Sequence, residues 1–227
     1  MAVGVGLGLS LDPGDLAALR ERMRAIEGWL RDDEAAFLYA AARSGPGRGA
    51  IVEVGSWKGR STVALAAGAK AAGREQVHAV DPHRGSREHG PAQTFPAFTQ
   101  TLRQAGVDDW VVPLVMPSEA AAAQWTQPLR LLWIDGAHEY EHVWRDVDLW
   151  SPHLIEGGII ALHDTIGWFS GPRRVAAQLL RSGDYRRCGI VGITTYGQRV
   201  RAIGPTERVR NYLTLGRRAV LELAGRR

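Results

Sequence analysis

Five short runs built almost wholly of apolar residues, at 50–54, 76–80, 111–116, 129–134 and 158–162, constrain this chain more than any other feature. Runs without polar alternation suit strands covered on both faces, and their alternation with helical stretches argues for a parallel sheet of βαβ units. Two further strand candidates, 187–194 and 199–203, are separated by Thr195-Tyr196-Gly197-Gln198. That gap is too short for a parallel crossover, so the last pair is antiparallel. The expected architecture is therefore α/β: seven strands, five of them parallel, closing in an antiparallel hairpin.

Ahead of the first run, Asp12-Pro13 offers an N-cap oxygen followed by proline at the first helical position. Leu16, Leu19, Met23, Ile26 and Leu30 then recur at helical spacing, and a second helix is expected over roughly 33–43. This pair either packs on its own domain, forms a dimer contact or covers the site. The breaker run Ser44-Gly45-Pro46-Gly47 gives a division into an N-terminal helical extension at 1–48, a catalytic domain at 49–204 and a basic C-terminal helix at 205–227. Residues 84–99 hold Gly85, Gly90, Pro91 and Pro96 without periodicity and read as a long loop or lid.

The 227 residues, 45% apolar, allow a substantial core, and the one cysteine, Cys188, excludes an intramolecular disulfide and a cysteine zinc cluster. No run approaches about 18 apolar residues, and Met1 to Leu9 lacks the basic region and cleavage site of a signal peptide. A cytoplasmic protein with no membrane partner is expected. The net charge of +4 is uneven: eight arginines against Glu207 and Glu222 make residues 199–227 +6, which leaves −2 for the rest. Arg208, Arg210, Arg217, Arg218, Arg226 and Arg227 read as a solvated face or subunit contact. No aromatic platform accompanies them, which disfavours nucleic acid.

Chemistry concentrates where the runs end. Glu53-Val54-Gly55-Ser56-Trp57-Lys58-Gly59-Arg60-Ser61 takes a buried strand through a glycine-bearing turn into a helix. Gly55 and Gly59 let the backbone approach a ligand, and the helix N-terminus near Ser61 offers free N–H groups; a purely structural turn is the alternative. Asp81 closes the next run, where an acid is placed to accept the two hydroxyls of a ribose, against the plainer reading of an Asp81-Pro82 surface turn. Asp135, with His138 three residues on, ends the fourth run, and His163-Asp164 ends the fifth. Ligands of open α/β sheets sit at the carboxyl ends of the strands, so Glu53, Asp81, Asp135 and Asp164 converge on one edge. Two close carboxylates, Asp135 and Asp164, must share a proton or a cation, and a hard divalent ion such as Mg²⁺ suits them.

At these residues the chain resembles class I S-adenosylmethionine-dependent methyltransferases. More narrowly, it is similar to the metal-dependent sugar and natural-product O-methyltransferases grouped with the macrolide-sugar and cephalosporin-biosynthesis enzymes. Glu53 to Ser61 and Asp135-Gly136-Ala137-His138-Glu139-Tyr140 carry the resemblance. It implies a Rossmann-like three-layer sandwich plus the N-terminal helices, and a homo-oligomer such as a dimer. Gly55, Ser56 and Ser61 would hold the methionine end of S-adenosylmethionine, with Glu53 orienting its amino group. Asp81 would take the ribose, and Pro117-Ser118-Glu119 would lie against adenine. Asp135 would border the cofactor as well, Asp135 and Asp164 would ligate Mg²⁺, and His138 would be the general base. His163 stands where some relatives carry a second carboxylate; as a ligand it suits Mn²⁺ or another softer ion, and otherwise it makes a supporting hydrogen bond behind the ligands. His83 and His89 border the lid, with substrate contact as the alternative to a structural role; the tryptophans read mainly as core, with Trp57 and Trp168 as the two that could line the cleft; His78, His142 and His153 read as structural. The acceptor implied is a hydroxyl of a sugar or glycosylated metabolite. A catechol-type enzyme acting on a phenol, a non-catalytic cofactor-binding subunit and an NAD-dependent dehydrogenase are the rivals, the last disfavoured by the missing second glycine finger.

Overall fold

The apolar runs are strands. A computed structural model describes residues 3–86 and 90–224. The N-terminal part holds β1 (Val3–Gly6), β2 (Leu9–Leu11), α1 (Pro13–Met23) and α2 (Asp32–Ser44). The middle continues with β3 (Ala50–Val54), α3 (Arg60–Ala72), β4 (Val77–Val80), the two-residue β5 (Gly85–Ser86) and β6 (Gly90–Pro91), α4 (Phe95–Gln104), β7 (Val111–Leu114) and α5 (Ser118–Ala122). The last part holds β8 (Leu129–Ile134), α6 (Tyr140–Trp150), β9 (Leu154–Leu162), α7 (Ser170–Ser182), β10 (Tyr185–Val191), β11 (Thr194–Arg199) and α8 (Pro205–Ala224).

The central sheet runs β10-β11-β9-β8-β3-β4-β7. β7, β4, β3, β8 and β9 are mutually parallel, and β11 pairs antiparallel with both β9 and β10. This is the expected Rossmann-like arrangement. Side chains alternate across the pleat, so neighbours in one strand serve different cores. Ile51, Leu131, Trp133, Ile159 and Ala161 pack under α1, α2, α3 and α4. Val52, Leu132, Ile134, Ile160 and Leu162 pack under α6 and α7 through Val143, Val147, Trp150, Val175 and Leu179. Among the described residues no helix is long and apolar enough to cross a membrane.

Five details depart from the sequence reading. The N-terminal apolar stripe is not one helix: α1 stops at Met23, although Ile26 and Leu30 still reach the core. Arg60, opening α3, donates to the carbonyls of Met23, Ile26 and Leu30, which removes the acceptors a longer helix would use. The closing hairpin turns at Gly192-Ile193, and residues 195–198, expected as its loop, are strand paired with β9. Their polar composition hid that Thr195, Tyr196 and Gln198 are buried. The expected loop at 84–99 gives way to α4 at Phe95, because Pro96 sits in the first turn, where proline starts helices rather than breaking them. Finally, the glycine-rich start forms the β1–β2 hairpin, and Arg218, grouped with the solvated arginines, is buried and donates to the carbonyls of Thr165 and Arg173.

Candidate active site

The carboxyl ends of the five parallel strands form one edge, and backbone geometry there is unusual. Of the five non-glycine residues with left-handed φ among the described residues, three lie just past the ends of parallel strands: Trp57 (+43°), His83 (+52°) and Asp164 (+52°). Such conformations persist where surrounding contacts impose them, and they cluster at functional sites.

After β3 the chain turns at Gly55, φ +88°, and passes directly over the end of β8. A Cβ on Gly55 would lie 2.6 Å from the Asp135 carbonyl carbon and 2.7 Å from Gly136 Cα, with the Asp135 oxygen closer still. Only glycine lets the two strand ends meet. Gly59, also left-handed, caps the N-terminus of α3. Glu53 is fully buried and accepts from three hydroxyls: Ser56 at 2.8 Å, Ser61 at 2.6 Å and Thr62 at 2.5 Å. Burial raises its pKa to about 7 despite these bonds. Glu53 therefore organises the turn from beneath, and Ser56 and Ser61 spend their hydroxyl protons on it. Asp81 binds the turn from the β4 side, its Oδ2 accepting the N–H groups of Ser56 (2.9 Å) and Trp57 (2.8 Å) and its Oδ1 that of His83.

At the β7 end, Ser118 Oγ accepts from Trp150 Nε1 at 2.9 Å and bonds to the buried Asp146, whose pKa burial raises to about 6. Glu119 turns to Arg145 at 2.9 Å on the surface. Asp146 also lies beside Gly136, so this corner adjoins the end of β8.

Asp135, His138 and Asp164 converge. One ligand atom from each lies within 4.8 Å of the others, and His138 Nε2 is 3.1 Å from Asp164 Oδ2. The His138 ring stacks on Phe169, centroids 3.8 Å apart, and the neighbouring Trp168 is 97% exposed. His163 is turned differently, with a carboxylate at each ring nitrogen. Nδ1 lies 3.0 Å from Asp135 Oδ1 and 3.3 Å from Asp164 Oδ2, while Nε2 lies 3.3 Å from Glu34 Oε2. Burial disfavours an imidazolium there, but the three carboxylates outweigh it and raise the pKa of His163 well above the ordinary value. Burial pushes Asp164 upward, yet hydrogen bonds from His138 and His163 hold it far below the usual carboxylate range. Asp135 is raised, by desolvation first and also by the charge of Asp164.

Glu34 is the member that sequence reading missed. It sits in the acidic first turn of α2, where Asp32, Asp33 and Glu34 look alike. Of the remaining candidates, His83 is buried with Nδ1 2.9 Å from Thr94 Oγ1, Trp57 packs against Trp29 with ring centroids 4.8 Å apart and the planes tilted by 34°, and His89 lies outside the described residues.

Two carboxylates and an imidazole at this spacing are a donor set that a hard or borderline divalent ion fits. The cradle at Gly55, which any Cβ would fill, together with Asp81 and the open N-terminus of α3, fits a nucleoside bearing an amino-acid tail.

Solved structures share this fold. TomG from Streptomyces achromogenes, an O-methyltransferase of tomaymycin synthesis in complex with SAM, is 14% identical; the match covers 86% of this chain and 92% of that one at a TM-score of 0.59. The Bacillus cereus O-methyltransferase in complex with SAH is 16% identical, covering 81% and 91% at 0.58. CalS11, a TDP-rhamnose 3'-O-methyltransferase of calicheamicin biosynthesis, is 14% identical, covering 83% and 95% at 0.54. Residues 52–165, half of the chain and nearly all of the edge just described, match the family described as a methyltransferase domain. The chain belongs to that methyltransferase family.

Proposed function

We propose that the chain is an S-adenosylmethionine- and divalent-metal-dependent O-methyltransferase whose acceptor is a hydroxyl of a sugar or glycosylated metabolite. The observation that carries this reading is the meeting of Asp135, His138 and Asp164 beside the Gly55 turn. Gly55, Ser56, Gly59, Ser61 and Asp81, with Glu53 behind them and Ser118 and Glu119 at the far end, would hold S-adenosylmethionine. Bound there, it supplies a methyl group on a sulfonium. Asp135 and Asp164 would hold Mg²⁺ or Mn²⁺, which when bound polarises a hydroxyl oxygen and fixes its position.

The chain's own residues supply orientation and proton transfer. Asp164 is held ionised 3.1 Å from His138 Nε2, so it orients the imidazole and stabilises its protonated form. His138 takes the acceptor hydroxyl proton, and the Phe169 stack keeps the ring at one angle while it does so. Proton removal by a positioned base is worth about 10²–10⁴ in rate. Exposed Trp168 gives the mouth an aromatic face of the kind that binds a sugar ring. CalS11, itself an enzyme acting on TDP-rhamnose, supports the sugar class.

The test is transfer of labelled methyl from S-adenosylmethionine to a panel of saccharides, glycosides and phenols, with and without chelator. Label is expected on sugar hydroxyls alone and only with metal present. Label on catechols instead reassigns the acceptor, and transfer that survives chelation removes the metal. His138→Ala should keep cofactor affinity and lose about 10²–10⁴ of turnover; unchanged turnover takes His138 out of the mechanism.

A further inference from the structure

The Glu34 carboxylate is 0% exposed, and each oxygen has two partners. Oε2 faces the Arg31 N–H at 3.0 Å and His163 Nε2 at 3.3 Å; Oε1 accepts from the Ile193 N–H and Thr194 Oγ1, both at 2.9 Å. Space is made for it: a Cβ on Gly192, φ +55°, would come within 2.7 Å of Glu34 Cγ and Cδ. A buried carboxylate this fully bonded does not move, and it fixes whatever donates to it.

It fixes His163. Nε2 lies 3.3 Å from Glu34 Oε2, Nδ1 lies 3.0 Å from Asp135 Oδ1 and 3.3 Å from Asp164 Oδ2, and Trp133 packs against the ring at 5.4 Å, so the imidazole is held at one angle between Glu34 and the two aspartates.

We propose that Glu34 is a positioning residue for the cation site: through His163 it sets the orientation of Asp135 and Asp164, and thereby the affinity for a divalent ion. This rests on the reading of Asp135 and Asp164 as ligands given above. Partners behind metal ligands typically contribute 10–100-fold to affinity.

The experiment is Mn²⁺ binding to the full chain, followed by the electron paramagnetic resonance of free Mn²⁺, in wild type, Glu34→Gln and Thr194→Val, with adenosylhomocysteine affinity and melting temperature measured in parallel. Glu34→Gln should bind Mn²⁺ about 10–100-fold more weakly with cofactor-product affinity held within about threefold. Thr194→Val removes a Glu34 partner on the side away from His163 and should melt lower while keeping its Mn²⁺ affinity. A folded Glu34→Gln that binds Mn²⁺ like wild type overturns the proposal, as does an equal loss in Thr194→Val. Wild type that binds no Mn²⁺ overturns the cation reading itself and this proposal with it. Should Glu34→Gln not fold, Glu34→Asp keeps the charge but draws it back from His163; an intermediate loss supports the proposal and wild-type affinity overturns it.

Discussion

The contact between the Gly55 turn and the end of β8 yields a quantitative expectation for Gly55→Ala. Two terms add. Holding an alanine at φ +88° costs roughly 1–2 kcal/mol, the usual penalty for a left-handed residue that bears a Cβ. The new methyl would also sit 2.6–2.7 Å from backbone carbons of Asp135 and Gly136, so the strand ends must separate by about 1 Å to reach ordinary contact, an overpacking term of about 1–3 kcal/mol. The total, about 2–5 kcal/mol, lowers the melting temperature by roughly 2–4 °C per kcal/mol in a chain of this size. Gly73→Ala isolates the first term, since Gly73 has φ +59° and its Cβ would meet nothing within 4 Å. Thermal unfolding of both variants, followed by circular dichroism, should show Gly55→Ala melting several degrees below Gly73→Ala. Adenosylhomocysteine binding should be lost only in Gly55→Ala. If the two melt within a degree of each other, the strand ends do not touch as described.

Two further outcomes follow from the same edge. Glu53 has a pKa of about 7 in the folded chain against an ordinary 4.5, so the folded state holds its proton more tightly. Its stabilising contribution is full below about pH 4.5, falls as pH rises to about 7 and is flat beyond, a span on the order of 3 kcal/mol. The stability difference between Glu53→Gln and wild type should therefore shift in favour of the variant by about that amount across this window in urea titrations, and a flat difference refutes the assignment. Trp168→Ala, at a 97% exposed position, should leave the melting temperature within about 1 °C and raise the acceptor KM with little change in kcat; an unchanged KM places the acceptor elsewhere.

Much of this was legible in the sequence because parallel strands buried on both faces cannot hide their composition. Residues 50–54 and 129–134 are strands at the positions their apolar runs mark, and the acids that end β3, β4 and β8 share one edge because parallel strands share a direction. What escaped depends on partners distant in the chain. The helix after Asp12 ends early because Arg60 captures its carbonyls. Thr195 to Gln198 look like a loop by polarity, yet they pair with β9 inside the sheet. Glu34 is indistinguishable from Asp32 and Asp33 until α2 is set against His163, 129 residues away. Local pattern reveals what a segment is, whereas its use is decided by neighbours that no short window contains.

The seat of Glu34 also bears on the order in which the molecule is completed. Its four bonds reach Arg31, His163, Ile193 and Thr194, so the innermost charge cluster draws on an early helix, a middle strand and the final hairpin. During synthesis the carboxylate meets His163 only after 129 further residues and its last two donors only after about 160, loop closures that slow assembly. A fragment beginning at residue 49 would leave Nε2 of His163 without its carboxylate, however well its sheet formed. Cation affinity would then report whether both ends of the polypeptide have arrived.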